Sequence, residues 1–237
     1  GGVVIMIKKN LTKYVKEIWC ECENVVVLRL SGQLLGMTKD ILYMSMYIPP
    51  YGSPFYDQTE SNCHILEIER LISDLLAIDD DVHILCNGDF NARTGNLQID
   101  YLSSIQTNYL DIFDKSVAFE SSRTSCDLTV NDFGKKLLEM CACYNLKLLN
   151  GCSEVERSGG YTYLSEHGHS VVNYLIVSFD ICETFNKMII ADRIESDHMP
   201  VELYCNKGDI SVQPTDHFSV STERIVWSED QVAVFNR

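Results

Sequence analysis

The stretch Leu85-Cys86-Asn87-Gly88-Asp89-Phe90-Asn91-Ala92-Arg93 decides both the fold and the candidate chemistry of this chain. An apolar run leads into it, which predicts a buried strand over Val82–Cys86 that delivers Asp89 and Asn91. Side chains two residues apart on a strand point to the same face, so the carboxylate and the amide should lie together. The alternative interpretation is a plain β-turn, because Asn-Gly-Asp favours turns.

A second polar stretch, Ser196-Asp197-His198-Met199-Pro200, stands far downstream, just before the apolar run Val201 to Leu203. It places a carboxylate beside a histidine ahead of another strand. Two carboxylates, an amide and a histidine are the groups that metal-assisted attack on a phosphate ester requires. The alternative for His198 is an ordinary surface or core histidine.

Composition predicts one large globular domain. The chain has 237 residues, of which 46% are hydrophobic. No apolar run approaches the roughly 20 residues that span a bilayer. The start, Gly1 to Lys9, lacks the basic region of a signal peptide. Because disulfides form mainly in secreted proteins, we expect the ten cysteines to be reduced. We expect a monomeric intracellular protein, nuclear or cytoplasmic and not secreted, without membrane contact.

The cysteines are better explained by packing than by metal binding. Cys86, Cys141 and Cys182 lie in apolar segments, where a thiol packs as a small hydrophobic group. The pairs Cys20–Cys22 and Cys141–Cys143 lack the spacing of a structural zinc site.

Hydrophobic periodicity predicts a mixture of strands and helices. Helices are expected over 61–78, ended by the run Asp79 to Asp81, and over 133–144, with Asn131 as a plausible cap. Strands are expected over 3–7, 25–30, 41–48, 82–86, 146–149, 161–163, 171–177, 187–191 and 201–204. This order suggests an α/β sandwich of two sheets with helices outside. Residues 1–205 form the expected domain, and 206–237 are expected to be a linker or the start of a following region.

In these motifs the chain resembles the endonuclease/exonuclease/phosphatase superfamily, and more narrowly the endonuclease domain of non-LTR (LINE-type) retrotransposons. The matching segments are Gly88–Gly95, Ser122–Asp127, Asn131–Leu138, Leu146–Gly151, Ser170–Ser178 and Ser196–Val201. The resemblance implies a two-sheet α/β sandwich of the apurinic-endonuclease type. It also implies a Mg²⁺- or Mn²⁺-dependent phosphodiesterase that nicks DNA to prime reverse transcription, beside a reverse transcriptase domain in a polyprotein.

The resemblance also implies a role for each matching residue. Asp89 would handle the metal and its water, and Asp197 would be a metal or orienting ligand. Asn91 would donate a hydrogen bond to the phosphate. His198 would act at the scissile phosphate, as a general base or as a stabiliser of developing charge. Tyr47 would touch the substrate phosphate; its alternative is a tyrosine packed at a strand edge.

Four further residues belong to the retrotransposon-like pattern as a predicted substrate-binding rim. They are Arg93, Thr94, Arg123 and Ser125. Cationic and hydroxyl side chains suit contact with a DNA backbone, and the alternative is that they are solvated loop residues. Thr162 and Ser170 match family positions that shape the site.

The chain departs from the family pattern at two places. Asn173 stands in Ser170-Val171-Val172-Asn173-Tyr174, where the family has an Asp that holds the catalytic histidine. An amide can accept the same hydrogen bond without carrying charge, so weak or lost nuclease activity is expected. Upstream of Asp89 nothing matches the family's opening Asn or its metal-binding Glu. We therefore expect an N-terminally truncated domain with weakened metal affinity and an open sheet edge with exposed apolar surface.

Two other functions stay open. A small-molecule or lipid phosphoesterase can share the same fold. A decayed copy that survives as a binding module fits the Asn173 substitution and the net charge of −15, which argues against a strongly basic nucleic-acid surface.

Overall fold

The computed structural model describes residues 2–19, 22–58, 63–98, 123–192 and 196–205. These ranges contain two α-helices, α1 (His64–Ile78) and α2 (Asp132–Cys143). They contain ten strands: β1 Val15–Trp19, β2 Val25–Leu30, β3 Asp40–Tyr47, β4 Val82–Asp89, β5 Leu146–Leu148, β6 Tyr163–Ser165, β7 Gly168–Ser170, β8 Asn173–Ser178, β9 Phe185–Ile190 and β10 Val201–Cys205. The predicted linker, 206–237, lies outside the described residues.

The main sheet has six strands in the order β1-β2-β3-β4-β8-β5. β3 and β4 run parallel, and the other neighbouring pairs are antiparallel. This register places Tyr47 of β3 and Asn173 of β8 on either side of Asp89, the last residue of β4. Three predicted site residues from distant parts of the chain therefore meet at one end of the sheet.

Both helices pack on one face of the main sheet. α1 buries Ile65, Ile68 and Ile72 at helical spacing, and it ends at Ile78 before the run of aspartates as predicted. The predicted cap of α2 is confirmed, because the Asn131 side chain accepts a 2.7 Å hydrogen bond from the amide of Gly134.

The opposite face of the main sheet packs against a second sheet made of β9 and β10. Strand β8 shows how one strand serves both layers. Tyr174 and Ile176 belong to the helix-side core, whereas Leu175 and Val177 pack with Met188 of β9. The predicted two-sheet α/β sandwich with helices outside is confirmed.

Two features of the N-terminal part differ from the prediction. Residues 3–7 form no strand, while β1, which the sequence reading did not predict, begins at Val15 and pairs with β2. Ile5 and Ile7 instead line an apolar groove of about 560 Å³, together with Leu28 of β2 and Leu203 of β10. The apolar residues of this segment have the spacing of a strand, but they line the groove and do not pair with a neighbouring strand. Strand β7, the partner of β6, was also not predicted.

The buried cysteines behave as predicted for core thiols. Cys86 and Cys141 are fully buried in the helix-side core, and burial raises the pKa of Cys86 to about 12. Neither helix in the described part of the chain has the length and apolar character needed to cross a bilayer.

Candidate active site

A close contact between β3 and β4 brings Asp89 to the end of the sheet. Gly88 has a φ of 145°, a conformation that favours glycine, and a Cβ built on it would lie 1.8 Å from the carbonyl oxygen of Met46. Only a residue without a side chain lets the two strands pair at this point. Asn87, Gly88 and Asp89 lie within β4, so the alternative of a plain Asn-Gly-Asp turn is wrong.

Asn91 holds the carboxylate of Asp89 in place. Its backbone amide donates to Oδ1 of Asp89 at 3.0 Å. Its side-chain nitrogen donates to Oδ2 of Asp89 at 3.2 Å and to the carbonyl of Ile48 at 2.8 Å. The two side chains lie together as expected, but not through strand alternation, because Asn91 follows the end of β4 and has a left-handed φ of 46°. Both amide hydrogens of Asn91 have protein partners, so its donation to a phosphate stays a prediction.

His198 lies between Asn173 and Asp89. Its Nδ1 atom is 2.9 Å from Oδ1 of Asn173, and its Nε2 atom is 3.9 Å from Oδ2 of Asp89. The contact with Asn173 is a hydrogen bond in which Nδ1–H donates, because an amide oxygen can only accept. The second is too long for a hydrogen bond, although it is short enough for attraction between an imidazolium and a carboxylate. The neutral imidazole then presents an unprotonated Nε2 toward the carboxylate.

A layer of supporting contacts positions this pair. The buried hydroxyl of Thr162 accepts hydrogen bonds from the amides of Val172 and Asn173, each at 2.9 Å. The side chain of Asn150 donates to the carbonyl of Asn173 at 3.0 Å. The ring of Tyr163 packs edge-on against His198, with centroids 5.0 Å apart. Asn150 and Tyr163 were not predicted to belong to the site. The available signal for Asn150 was its position, as the polar residue that directly follows the apolar run 146–149.

Tyr47 and Asp197 complete the group. Tyr47 pairs with Asp89 in register, and burial, followed by the negative charge of Asp89, raises the pKa of its phenol. Asp197 is exposed, and its backbone carbonyl accepts from the amide of Leu164 at 2.8 Å. All six residues predicted for catalysis and metal binding thus lie around the ends of β3, β4 and β8 or on the segment before β10.

The electrostatics of the site centre on Asp89. Burial raises its pKa above the usual carboxyl value, and the negative charge of Asp197 acts in the same direction. Hydrogen bonds from Asn91 and the field of His198 oppose this rise without cancelling it. A carboxylate with raised proton affinity next to an imidazole is a typical setting for proton transfer or for binding a cation.

The donor atoms fit a magnesium ion better than a softer metal. Asp89 and Asp197 offer carboxylate oxygens, the ligands that Mg²⁺ prefers. Among the residues that the structure describes, Asp89, Asp197 and His198 do not bring three ligand atoms within 4.8 Å of one another. The described residues therefore provide at most part of a coordination shell, as is usual where substrate phosphates and water supply the rest.

The predicted substrate-binding rim is wrong for three of its four members. Thr94, Arg123 and Ser125 are buried, at 1%, 4% and 8% exposure. The Arg123 guanidinium donates to backbone carbonyls, including that of Gly95 at 3.0 Å, so it ties loops together inside the protein. The hydroxyl of Thr94 lies 3.2 Å from that of Tyr174 in the core.

Arg93 remains partly exposed but has an internal partner. Its guanidinium donates to both carboxylate oxygens of Asp127, at 2.6 and 2.7 Å, and 32% of its side chain is exposed. Contact of Arg93 with a substrate stays a prediction.

No family model and no curated protein matches the sequence. Solved structures similar to it include the endonuclease domain of TRAS1, a telomere-specific non-LTR retrotransposon, and the 3′ phosphatase NExo from Neisseria bound to a product DNA hairpin. Each is 15% identical, with a TM-score of 0.46 over 78% of this chain. The alignment covers 62% and 65% of those chains, so this chain spans less than two thirds of either.

Proposed function

We propose that this chain is a metal-dependent phosphodiesterase of the endonuclease type that acts on DNA, and that Asn173 slows its reaction. The supporting observation is the position of His198, with Nδ1 2.9 Å from the amide oxygen of Asn173 and Nε2 3.9 Å from the carboxylate of Asp89. Held in this way, Nε2 can take a proton from the attacking water or, once protonated, stabilise charge on the phosphate.

The proposed cofactor is Mg²⁺, with Mn²⁺ as a substitute. Asp89 and Asp197 would hold it through carboxylate oxygens. A bound ion would polarise the phosphate and neutralise part of its charge. Asn91 would keep the Asp89 carboxylate oriented, as its hydrogen bonds of 3.0 and 3.2 Å indicate. The phenol of Tyr47, beside Asp89, would donate to a phosphate oxygen.

DNA is proposed as the substrate on the motifs that favour the retrotransposon branch. Such a domain would leave a 3′-hydroxyl that primes reverse transcription, with a reverse transcriptase domain as its partner in a polyprotein. We propose that this part of the chain is monomeric and works inside the cell, in the nucleus or cytoplasm.

The proposal is tested by incubating the chain with Mg²⁺ and either supercoiled plasmid DNA or a phosphoinositide. His198→Ala is the test variant. His167→Ala is the matched control, because His167 is exposed and lies outside the site. We expect the unaltered chain to nick plasmid slowly and Asn173→Asp to nick it faster. His198→Ala should abolish nicking, and His167→Ala should leave it unchanged. Phosphate release from the lipid without plasmid nicking would favour the small-molecule or lipid phosphoesterase instead.

A second candidate function is a decayed, non-enzymatic binding module. The observation that favours it is the neutral amide of Asn173 at the position that orients His198. It predicts DNA binding without nicking, and no gain of nicking in Asn173→Asp. That result would reject the enzymatic proposal.

A further inference from the structure

A second group of metal-ligating side chains lies where the segment before β2 meets the first turn of α1. Cys22, His64 and Glu67 bring ligand atoms within 4.8 Å of one another. In the described part of the chain, they form the one set of three such residues that is this close. They share no residue with the candidate active site.

The ring of His64 is held from two sides. It is 1% exposed, and its Nδ1 atom lies 2.6 Å from Oε2 of Glu67, three residues further along α1. The ring of Phe55 packs edge-on against it, with centroids 5.3 Å apart. A carboxylate on one ring nitrogen fixes the tautomer and leaves the other nitrogen as the ligand, which is the usual support for a histidine that binds a metal.

The other nitrogen of His64, Nε2, faces a sulfur atom and an oxygen atom that can both bind a metal. Nε2 lies 4.0 Å from Sγ of Cys22 and 3.1 Å from the carbonyl oxygen of Glu23. In a tetrahedral zinc site, Zn–S and Zn–N bonds of about 2.3 and 2.1 Å separate the two ligand atoms by about 3.6 Å. The sulfur and the nitrogen therefore stand close to the spacing that one ion requires.

The ligand types select the metal. Thiolate and imidazole together favour zinc, whereas the carboxylates of the candidate active site favour magnesium. The cysteine pairs lack zinc spacing along the sequence, but Cys22 meets a histidine 42 residues away. Sequence spacing alone misses a site assembled in this way.

We propose that Sγ of Cys22 and Nε2 of His64 bind one Zn²⁺ ion, with Glu67 as a positioning residue on Nδ1. Oxygen donors, from water or the Glu23 carbonyl, complete the coordination. The ion joins the segment that enters β2 to the start of α1, and so braces the helix side of the main sheet. The competing explanation is a metal-free hydrogen-bond group in which His64 donates to Glu67 and to the Glu23 carbonyl.

The test is titration of the full chain with Co²⁺, which reports sulfur ligation through a thiolate-to-cobalt charge-transfer band. Binding at the carboxylates of Asp89 and Asp197 produces no such band. We expect the band to saturate at one cobalt per chain and to disappear when Zn²⁺ is added. Cys22→Ser should abolish it. Cys143→Ser, which changes an exposed cysteine outside the group, should leave it intact.

A second variant and a second measurement cover the case in which Cys22→Ser misfolds. Glu67→Gln should weaken cobalt affinity by about 10- to 100-fold, the usual effect of losing such a supporting carboxylate. Cadmium NMR of the unaltered chain should give a resonance in the range of mixed sulfur and nitrogen ligands. The absence of the charge-transfer band, its persistence in folded Cys22→Ser, or a cadmium resonance typical of oxygen ligands would each overturn the proposal.

Discussion

The Nδ1 atom of His198 lies 2.9 Å from the Oδ1 atom of Asn173, so an amide and not a carboxylate orients this imidazole. An amide oxygen accepts the same hydrogen bond as a carboxylate and keeps the ring in place. It does not supply the negative charge that stabilises a protonated imidazole. The position of the imidazole and the charge that acts on it are therefore separable in this site.

The Thr162 hydroxyl should be essential for placing Asn173. It is fully buried and accepts from the amides of Val172 and Asn173. Thr162→Val leaves both amides without a partner, at about 1 to 3 kcal/mol for each buried group. Urea denaturation should show that loss in the free energy of unfolding. Thr162→Ser keeps the hydroxyl and should lose much less; equal losses in the two variants would contradict this role.

Gly88→Ala should disrupt the end of β4 because of a steric clash with β3. The added Cβ meets the Met46 carbonyl oxygen at 1.8 Å. Gly168 is a matched control, since its φ of 150° is close to the 145° of Gly88 and nothing lies within 4 Å of its Cβ position. Both alanines carry backbone strain of about 1 to 3 kcal/mol. Gly88→Ala should cost about 3 kcal/mol more by thermal unfolding. Equal losses would show that the contact does not restrict β4.

The sequence predicted which end of the sheet carries the candidate site, because the signals for it come from neighbouring residues. The apolar run before Asp89 identifies β4. Asn91 follows two residues later and contacts the carboxylate from a left-handed turn just beyond the strand. The Asn131 cap and the end of α1 before Asp79 likewise depend on neighbouring residues.

Other features depend on partners that are far away in the chain. Arg93 pairs with Asp127, 34 residues on, and no local pattern shows that this carboxylate is buried. Arg123 is a charged residue in a polar loop, yet its guanidinium donates to the carbonyls of Gly95 and Leu97, which lie 28 and 26 residues earlier in the chain. The family pattern and the residue types together predicted that both arginines lie on a substrate-binding rim. Long-range hydrogen bonds instead bury the guanidinium of Arg123.

The pair of Arg93 and Asp127 should make stability depend on pH in the acid range. Burial raises the pKa of Asp127, but hydrogen bonds from the Arg93 guanidinium and from the amides of Thr129 and Val171 outweigh burial and lower it overall. A carboxyl whose pKa is lowered in the folded state stabilises the protein fully above its ordinary pKa. The contribution is lost as pH falls through the folded-state value.

Asp127→Asn should therefore flatten the acid limb of the pH–stability curve and cost about 2 kcal/mol at neutral pH. Asp132→Asn is the control, because the Asp132 side chain is 86% exposed and its contact with Lys135 is 3.4 Å long. Chemical denaturation at a series of pH values measures both. An unchanged acid limb in Asp127→Asn would show that another group controls acid unfolding.

The most direct test of the central claim is the rate of plasmid nicking with Mg²⁺ by the unaltered chain and by Asn173→Asp. Restoring the negative charge beside His198 should raise the single-turnover rate, by up to roughly 10⁴-fold if the effect matches that in a serine-protease triad. Asn10→Asp adds the same charge at an exposed position outside the site and should leave the rate unchanged. If Asn173→Asp nicks no faster than the unaltered chain, or if neither protein nicks, the proposed role of the Asn173–His198 pair in DNA hydrolysis is contradicted.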